Sequence, residues 1–257
     1  MQIATGGDML NFGYWHGNKI HDPLAAQNNL CTLVGEIADL RSAKRLIDVG
    51  SGFSGPAIQW KSIFGSLDIS CVNINFQQLS FASTEARKKK VARINATSIS
   101  LPFSNHSVDR VIALEAAQHF RPLEKFIIES KRILQPGGLL VIAIPVITAT
   151  THTHNQLTML LKLGILSMTW SSEHYELEHV KSTIIKNGFG IDDIRRIGHY
   201  VYEPLADYYI SNRDILRCKI LKKYSSLLEN VLYKSLLKMH EISRKGIIDY
   251  IIIKASR

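Results

Sequence analysis

The run Asp48-Val49-Gly50-Ser51-Gly52-Phe53-Ser54-Gly55 carries the strongest chemical signal in the chain. Its DxGxGxxG spacing follows a β-branched stretch and opens a helix. Glycine there permits a tight turn and a close backbone approach, and the helix start offers unpaired N–H groups to an anion. A dinucleotide fingerprint has the same spacing. Two features point away from nicotinamide: an aspartate lies two residues before the first glycine, and Asn73 ends the following strand where such a site uses an acid. A purely structural glycine turn is the bland alternative. His119 is the second candidate. A neutral imidazole with a pKa near ambient pH suits a base, and a packed or helix-capping histidine is the competing reading. His152 and His154 form an HxH pair that His174 and His179 could join, but no carboxylate or thiol set accompanies them, and no metal is assigned.

These residues need elements to position them. From Arg45 onward, β-branched runs alternate with amphipathic stretches, the pattern of a parallel sheet with helices on both faces. Strands are predicted at Arg45–Val49, Asp68–Ile74, Val91–Asn95, Val108–Leu114 and Leu139–Ile144, with helices at Gly55–Phe64, Gln77–Lys90 and Leu123–Leu134. The last of these helices should stop at Gln135-Pro136-Gly137-Gly138. Beyond Pro145 come a helical insertion at Thr148–His174, a helix at Tyr175–Asn187, a strand near Ile191–Val201, a long helical segment Asn212–Ser243 and a final strand at Ile247–Lys254. In the long segment, Leu221, Tyr224, Leu228, Val231 and Ser235 share a stripe that should pack and leave the lysines exposed.

Several of these runs together resemble the class I S-adenosylmethionine-dependent methyltransferases, over most of the chain. Leu46 through Gly52 is similar to their first motif, Leu101 through Val111 to the approach to their fourth strand, and Ile133 through Leu140 to the "RVLxPGG" before their fifth. Asn11-Phe12-Gly13-Tyr14-Trp15, Val72-Asn73-Ile74-Asn75 with Gln78, and Leu114-Glu115-Ala116-Ala117-Gln118-His119-Phe120 resemble a small-molecule branch. That branch includes sugar and macrolide O-methyltransferases and tocopherol and sarcosine methyltransferases.

The resemblance implies an α/β fold: a Rossmann-like seven-stranded sheet with an antiparallel last strand and helical cap insertions. It implies a single domain over residues 1–257, with an N-terminal helical lid at 1–40 and caps at 148–174 and 204–245. The implied cofactor is S-adenosyl-L-methionine. Gly50, Ser51 and Gly52 would cradle its amino-acid tail, with Asp48 orienting the turn or meeting the ammonium. Asn73 would take the ribose position with Ile74 beside it at the cofactor, Asn75 and Gln78 would shape the adjoining loop, and Asn95 and Ala96 would border the adenine. Glu115 would sit at the donor site or cap backbone N–H groups, and Tyr14 and Trp15 would close over the donor as a lid, or else pack. The family usually has a carboxylate at the ribose position or at the residue matching Asn95, whereas this chain has asparagine at both. His119 is the implied catalytic base, and Ala143-Ile144-Pro145, ending the fifth strand, supplies no acidic partner for it.

Composition bounds the remainder. The chain has 257 residues, 46% hydrophobic and 21% charged, enough apolar material for a full core and too much for wholesale disorder. No apolar run reaches the roughly 20 residues of a membrane span, and no leader pattern is visible, so the expectation is a cytoplasmic protein. Cys31, Cys71 and Cys218 lack CxxC spacing and read as free buried thiols. Net charge is +9, and Ser211–Lys245 carries nine basic against three acidic residues, a local +6. That excess is either a solvated helix face or a contact for nucleic acid, an anionic membrane surface or a negatively charged substrate.

The expected partner is a small-molecule acceptor, presenting a hydroxyl or an activated carbon on an apolar, glycosylated or lipid-like metabolite. The apolar residues of Thr148–His174 suit such a pocket. No specific nucleic acid is expected, because Glu115-Ala116-Ala117-Gln118 stands where base-amine methyltransferases carry a [DNS]PP[YFW] motif, and no cysteine nucleophile lies nearby. An RNA methyltransferase and a non-catalytic S-adenosylmethionine-binding protein are the alternatives. The sequence does not set the oligomeric state.

Overall fold

The computed structural model describes residues 9–16, 22–81, 83–148 and 175–257. Their frame is a seven-stranded sheet in the order β3-β2-β1-β4-β5-β7-β6. The strands are β1 (Arg45–Val49), β2 (Asp68–Asn73), β3 (Ala92–Asn95), β4 (Val108–Leu114), β5 (Leu134–Ile147), β6 (Gly190–Arg196) and β7 (Ile248–Ser256). The first five pair in parallel, and β7 runs antiparallel to both β5 and β6. The expected antiparallel last strand is therefore present.

The helices are α1 (Pro23–Ile37), α2 (Gly55–Ile63), α3 (Phe76–Phe81), α4 (Ser83–Lys88), α5 (Leu123–Ile133), α6 (Leu177–Lys186), α7 (Tyr202–Ser211), α8 (Arg213–Leu221) and α9 (Ser226–Arg244). Side chains alternate across a strand, so the sheet builds a core on each face. Tyr250 and Ile252 join Leu30 and Trp60, whereas Ile251 and Ile253 join Phe126 and Val180 on the other side. The indole N–H of Trp60 donates to the Cys31 carbonyl at 2.8 Å, which locks α2 to α1.

Four expectations need correction. The helix predicted over Gln77–Lys90 is two short ones, α3 and α4. Leu79 is the one buried side chain in α3, too little packing to enforce a continuous rod. The segment Asn212–Ser243 is broken as well, since the Ser225 hydroxyl accepts from the Leu228 N–H at 3.3 Å and starts a new helix. The break shifts the phase. Leu221, Tyr224 and Leu228 are exposed, and the buried face of α9 is Glu229, Ser235, Leu236, Met239 and Ile242.

Pro136-Gly137-Gly138 does not form a turn outside the sheet. Val108 pairs with Leu134 and Arg110 with Leu139, so the intervening residues bulge from β5. Cys31 and Cys71 are buried as expected, but Cys218 is exposed. The insertion Thr148–His174 lies outside the described residues beyond Thr148.

Candidate functional site

Strand order reverses between β1 and β4, and open α/β sheets bind ligands at the carboxyl ends of the strands at such a point. A cavity of about 600 Å³ lies there. Its floor is the turn from β1 into α2. Gly50 and Gly52 have φ of +77° and +53°, in the left-handed region that favours glycine. The N–H groups of Gly50 and Ser51 donate to the Val72 carbonyl at 2.7 and 3.2 Å, tying the turn to β2. A Cβ on Gly50 would lie 2.3 Å from that of Ala116, so the turn and the loop after β4 touch through a glycine.

Asp48, at the end of β1, is buried, and among the described residues its Oδ2 has no hydrogen-bond partner. Burial pushes its carboxyl up to about 7. Ser51 Oγ and Gln118 Oε1 are likewise buried and unpartnered, and all three residues line the cavity.

The β2 end supplies the next wall. Asn73 donates from Nδ2 to Gln78 Oε1 at 2.8 Å, and Asn75 Oδ1 accepts from the Gln78 N–H at 3.2 Å. Asn73, Gln78 and Ile74 line the cavity, and Ile74 leaves 74% of its surface exposed. Asn95 does not line it. Its Nδ2 donates to the carbonyls of Asn73 and Ile74, each at 2.9 Å, so this amide braces the β2 loop from behind. Ala96 borders the cavity together with Thr97, Ser98 and Ile99.

Beyond β4 the chain enters a turn, Ala117–His119. Glu115 has a left-handed φ of 49°, and its Oε1 accepts from the Phe12 N–H at 2.8 Å and from the Tyr250 hydroxyl at 3.1 Å. Burial pushes this carboxyl up to about 8, although both donors pull the other way. His119 is exposed and lines the cavity beside Arg121.

Tyr14 stands away from the lining, its ring 5.4 Å from that of Tyr200, with its N–H donating to the Ala26 carbonyl at 2.8 Å. Trp15 is buried in the core. His152, His154 and His174 lie outside the described residues, and His179 stacks on Tyr175. Among the described residues no group of three His, Cys, Asp or Glu side chains could hold a metal.

Sequence reasoning missed Leu10 and Asn11, which cover one side of the cavity. Gln27 holds them, donating from Nε2 to the carbonyls of Met9 at 3.1 Å and Asn11 at 2.7 Å. Their distance in sequence from the glycine turn hid them. It also missed Gln118, inside the run around His119, and Arg121 just beyond it.

Residues 47–142 match the family described as a methyltransferase domain. Methyltransferase GfsG of Streptomyces halstedii is 30% identical over 148 residues, covering 56% of this chain and 53% of that protein. Sterol 24-C-methyltransferase of Pneumocystis carinii is 28% identical over 198 residues, covering 74% and 51% respectively. The chain thus spans about half the length of these curated relatives. Among solved structures, the mycolic acid cyclopropane synthase CmaA1, complexed with SAH and CTAB, superposes with a TM-score of 0.86 at 14% identity, over 100% of this chain and 93% of that one. That likeness is one of fold.

Proposed function

We propose, on the premise that this chain belongs to the class I S-adenosylmethionine-dependent methyltransferases, that it methylates a small molecule with S-adenosyl-L-methionine as the donor. The acceptor in this reading presents a hydroxyl or an activated carbon on an apolar, glycosylated or lipid-like metabolite. The observation that carries the reading is the convergence of Asp48 Oδ2, Ser51 Oγ and Gln118 Oε1, all buried and without partners among the described residues, on one cavity floored by two left-handed glycines. Buried polar atoms are seldom left without partners, and a zwitterionic amino-acid tail supplies both a cation and an anion.

The chain's residues fit that donor. Gly50 and Gly52 leave the turn open to close approach, and Asp48 faces a cation better than an anion. Asn73, fixed by Gln78, offers a polar edge for a sugar diol, while Ile74 and Ala96 offer an apolar border for a purine. When bound, the donor supplies a methyl group on a sulfonium, which makes the carbon electrophilic. His119 accepts the proton that leaves an acceptor hydroxyl, its imidazole standing at the exposed side of the cavity. Glu115 positions residues 9–16 through Phe12, because its oxygen is already engaged by two donors. Residues 1–40 act as the lid and 204–245 as a cap in this reading. Among the described residues no helix is long and apolar enough to cross a membrane.

The relatives named above give RNA methylation no support. Calorimetric titration with S-adenosylhomocysteine tests the donor, and binding of NAD instead would overturn it. Incubation with labelled donor and a metabolite extract tests the reaction. Donor binding with no labelled product from any extract would make the chain a non-catalytic S-adenosylmethionine-binding protein.

A further inference from the structure

We infer that the exposed hairpin tip between α8 and α9 is a docking site for an anionic lipid surface. Residues 221–228, Leu-Lys-Lys-Tyr-Ser-Ser-Leu-Leu, are exposed without interruption. Leu227 shows 72% of its surface, Tyr224 51% and Leu221 41%. Lys219, Lys222 and Lys223 surround them, and no acidic residue falls between Lys219 and Leu228.

Three unpaired cations of this segment gather at the tip. Farther along the hairpin four of the six other cations are paired, two on each of two carboxylates: Arg213 and Arg217 reach the buried Glu229 at 3.1 and 3.5 Å, and Lys238 and Lys245 reach Glu241 at 2.8 and 2.6 Å, while Lys234 and Arg244 make no ion pair among the described residues. Among the described residues Lys219, Lys222 and Lys223 make no ion pair.

The tip is also built rather than loose. Tyr209 donates to Glu229 at 3.3 Å, the Arg213 guanidinium lies 3.6 Å over the Tyr233 ring, and Ser225 caps α9. A rigid support lowers the ordering penalty of docking.

Three exposed leucines and a tyrosine among unpaired lysines match the interface of an anionic bilayer. There, apolar side chains enter the acyl boundary while lysine stems lie along it and the ammonium groups meet phosphates. A second copy of this chain would bring like charges together. A nucleic acid would use the lysines but leave Leu227 and Leu228 in water. This assignment does not depend on the methyl-transfer reading.

The test is co-sedimentation of the whole chain with vesicles of phosphatidylcholine alone and of phosphatidylcholine mixed with phosphatidylglycerol, at low and high salt. The expected result is binding to the mixed vesicles that weakens with salt, and little binding to the neutral ones. Leu227→Ser with Leu228→Ser, and separately Lys222→Glu with Lys223→Glu, should each weaken binding by about tenfold or more. All four residues are exposed, so thermal melting should show both variants as stable as the parent. Absent binding, equal binding to both vesicle types, or variants that bind like the parent would overturn the proposal. So would a dimer in solution that the leucine variant dissociates, or an RNA affinity that the lysine variant removes with vesicle binding intact.

Discussion

Glu115 and Phe12, 103 positions apart, are joined by a 2.8 Å hydrogen bond from the Phe12 N–H to Glu115 Oε1. That bond ties the N-terminal strip, with the cavity-lining Leu10 and Asn11, to the loop after β4. Glu115→Ala would leave the Phe12 N–H and the Tyr250 hydroxyl without this acceptor, at about 1–3 kcal/mol. Glu115→Gln keeps an acceptor oxygen and should lose less. Urea denaturation reads the stability, and limited proteolysis before α1 should cut the alanine variant first.

Stability should depend on pH through two carboxyls. Burial raises Asp48 from 3.8 to about 7 and Glu115 from 4.5 to about 8. Groups raised in the folded state contribute stability that is present at low pH and is lost as pH rises through the folded values. The urea midpoint should therefore fall between about pH 5 and about pH 8. Asp48→Asn should flatten that fall. A donor ammonium favours the ionised Asp48, so S-adenosylhomocysteine affinity should increase as pH rises toward about 7. A binding constant independent of pH would contradict the placement of the ammonium there.

Gly50→Ala tests the floor of the cavity. The new Cβ would lie 2.3 Å from that of Ala116, at a φ of +77°. Strain and overlap together should cost about 2–4 kcal/mol, measured by urea denaturation, and donor titration should show binding lost. Gly137→Ala is the control for backbone strain, because open space surrounds that glycine.

His119→Ala should lower kcat by about 10²–10⁴ while changing S-adenosylhomocysteine affinity little. The pH–rate profile should lose its acidic limb in the same variant. Unchanged kcat would return His119 to a structural role.

The sheet was legible because its strands are short β-branched runs between glycine, proline and helix-forming stretches, and the boundaries of β1 and β4 agree with the structure to the residue. The glycine turn was legible for a related reason: its residue types are ones the backbone conformation demands. The helical cap was not. Its period was read through Ser225, and a cap that restarts a helix resets which residues face inward, so Leu221 and Tyr224 came out exposed. The roles of Leu10, Asn11 and Gln27 depend on contacts between distant segments that no local pattern encodes. Asn73 and Asn95 look alike in sequence, yet Asn73 lines the cavity and Asn95 braces the loop from behind.

Strand β7 lies between β5 and β6 although β6 precedes it in the chain. During synthesis β6 and the three helices after it are therefore made before β7, the strand that joins β6 to the rest of the sheet. The ribosome must release residue 256 before Gly190 can find its partner there. Until then β5 presents an open edge of nine residues, Leu139 to Ile147, that later pairs with β7. Such an edge is a template for wrong pairing, which makes the interval between the emergence of β5 and β7 the one in which a nascent chain would need a chaperone.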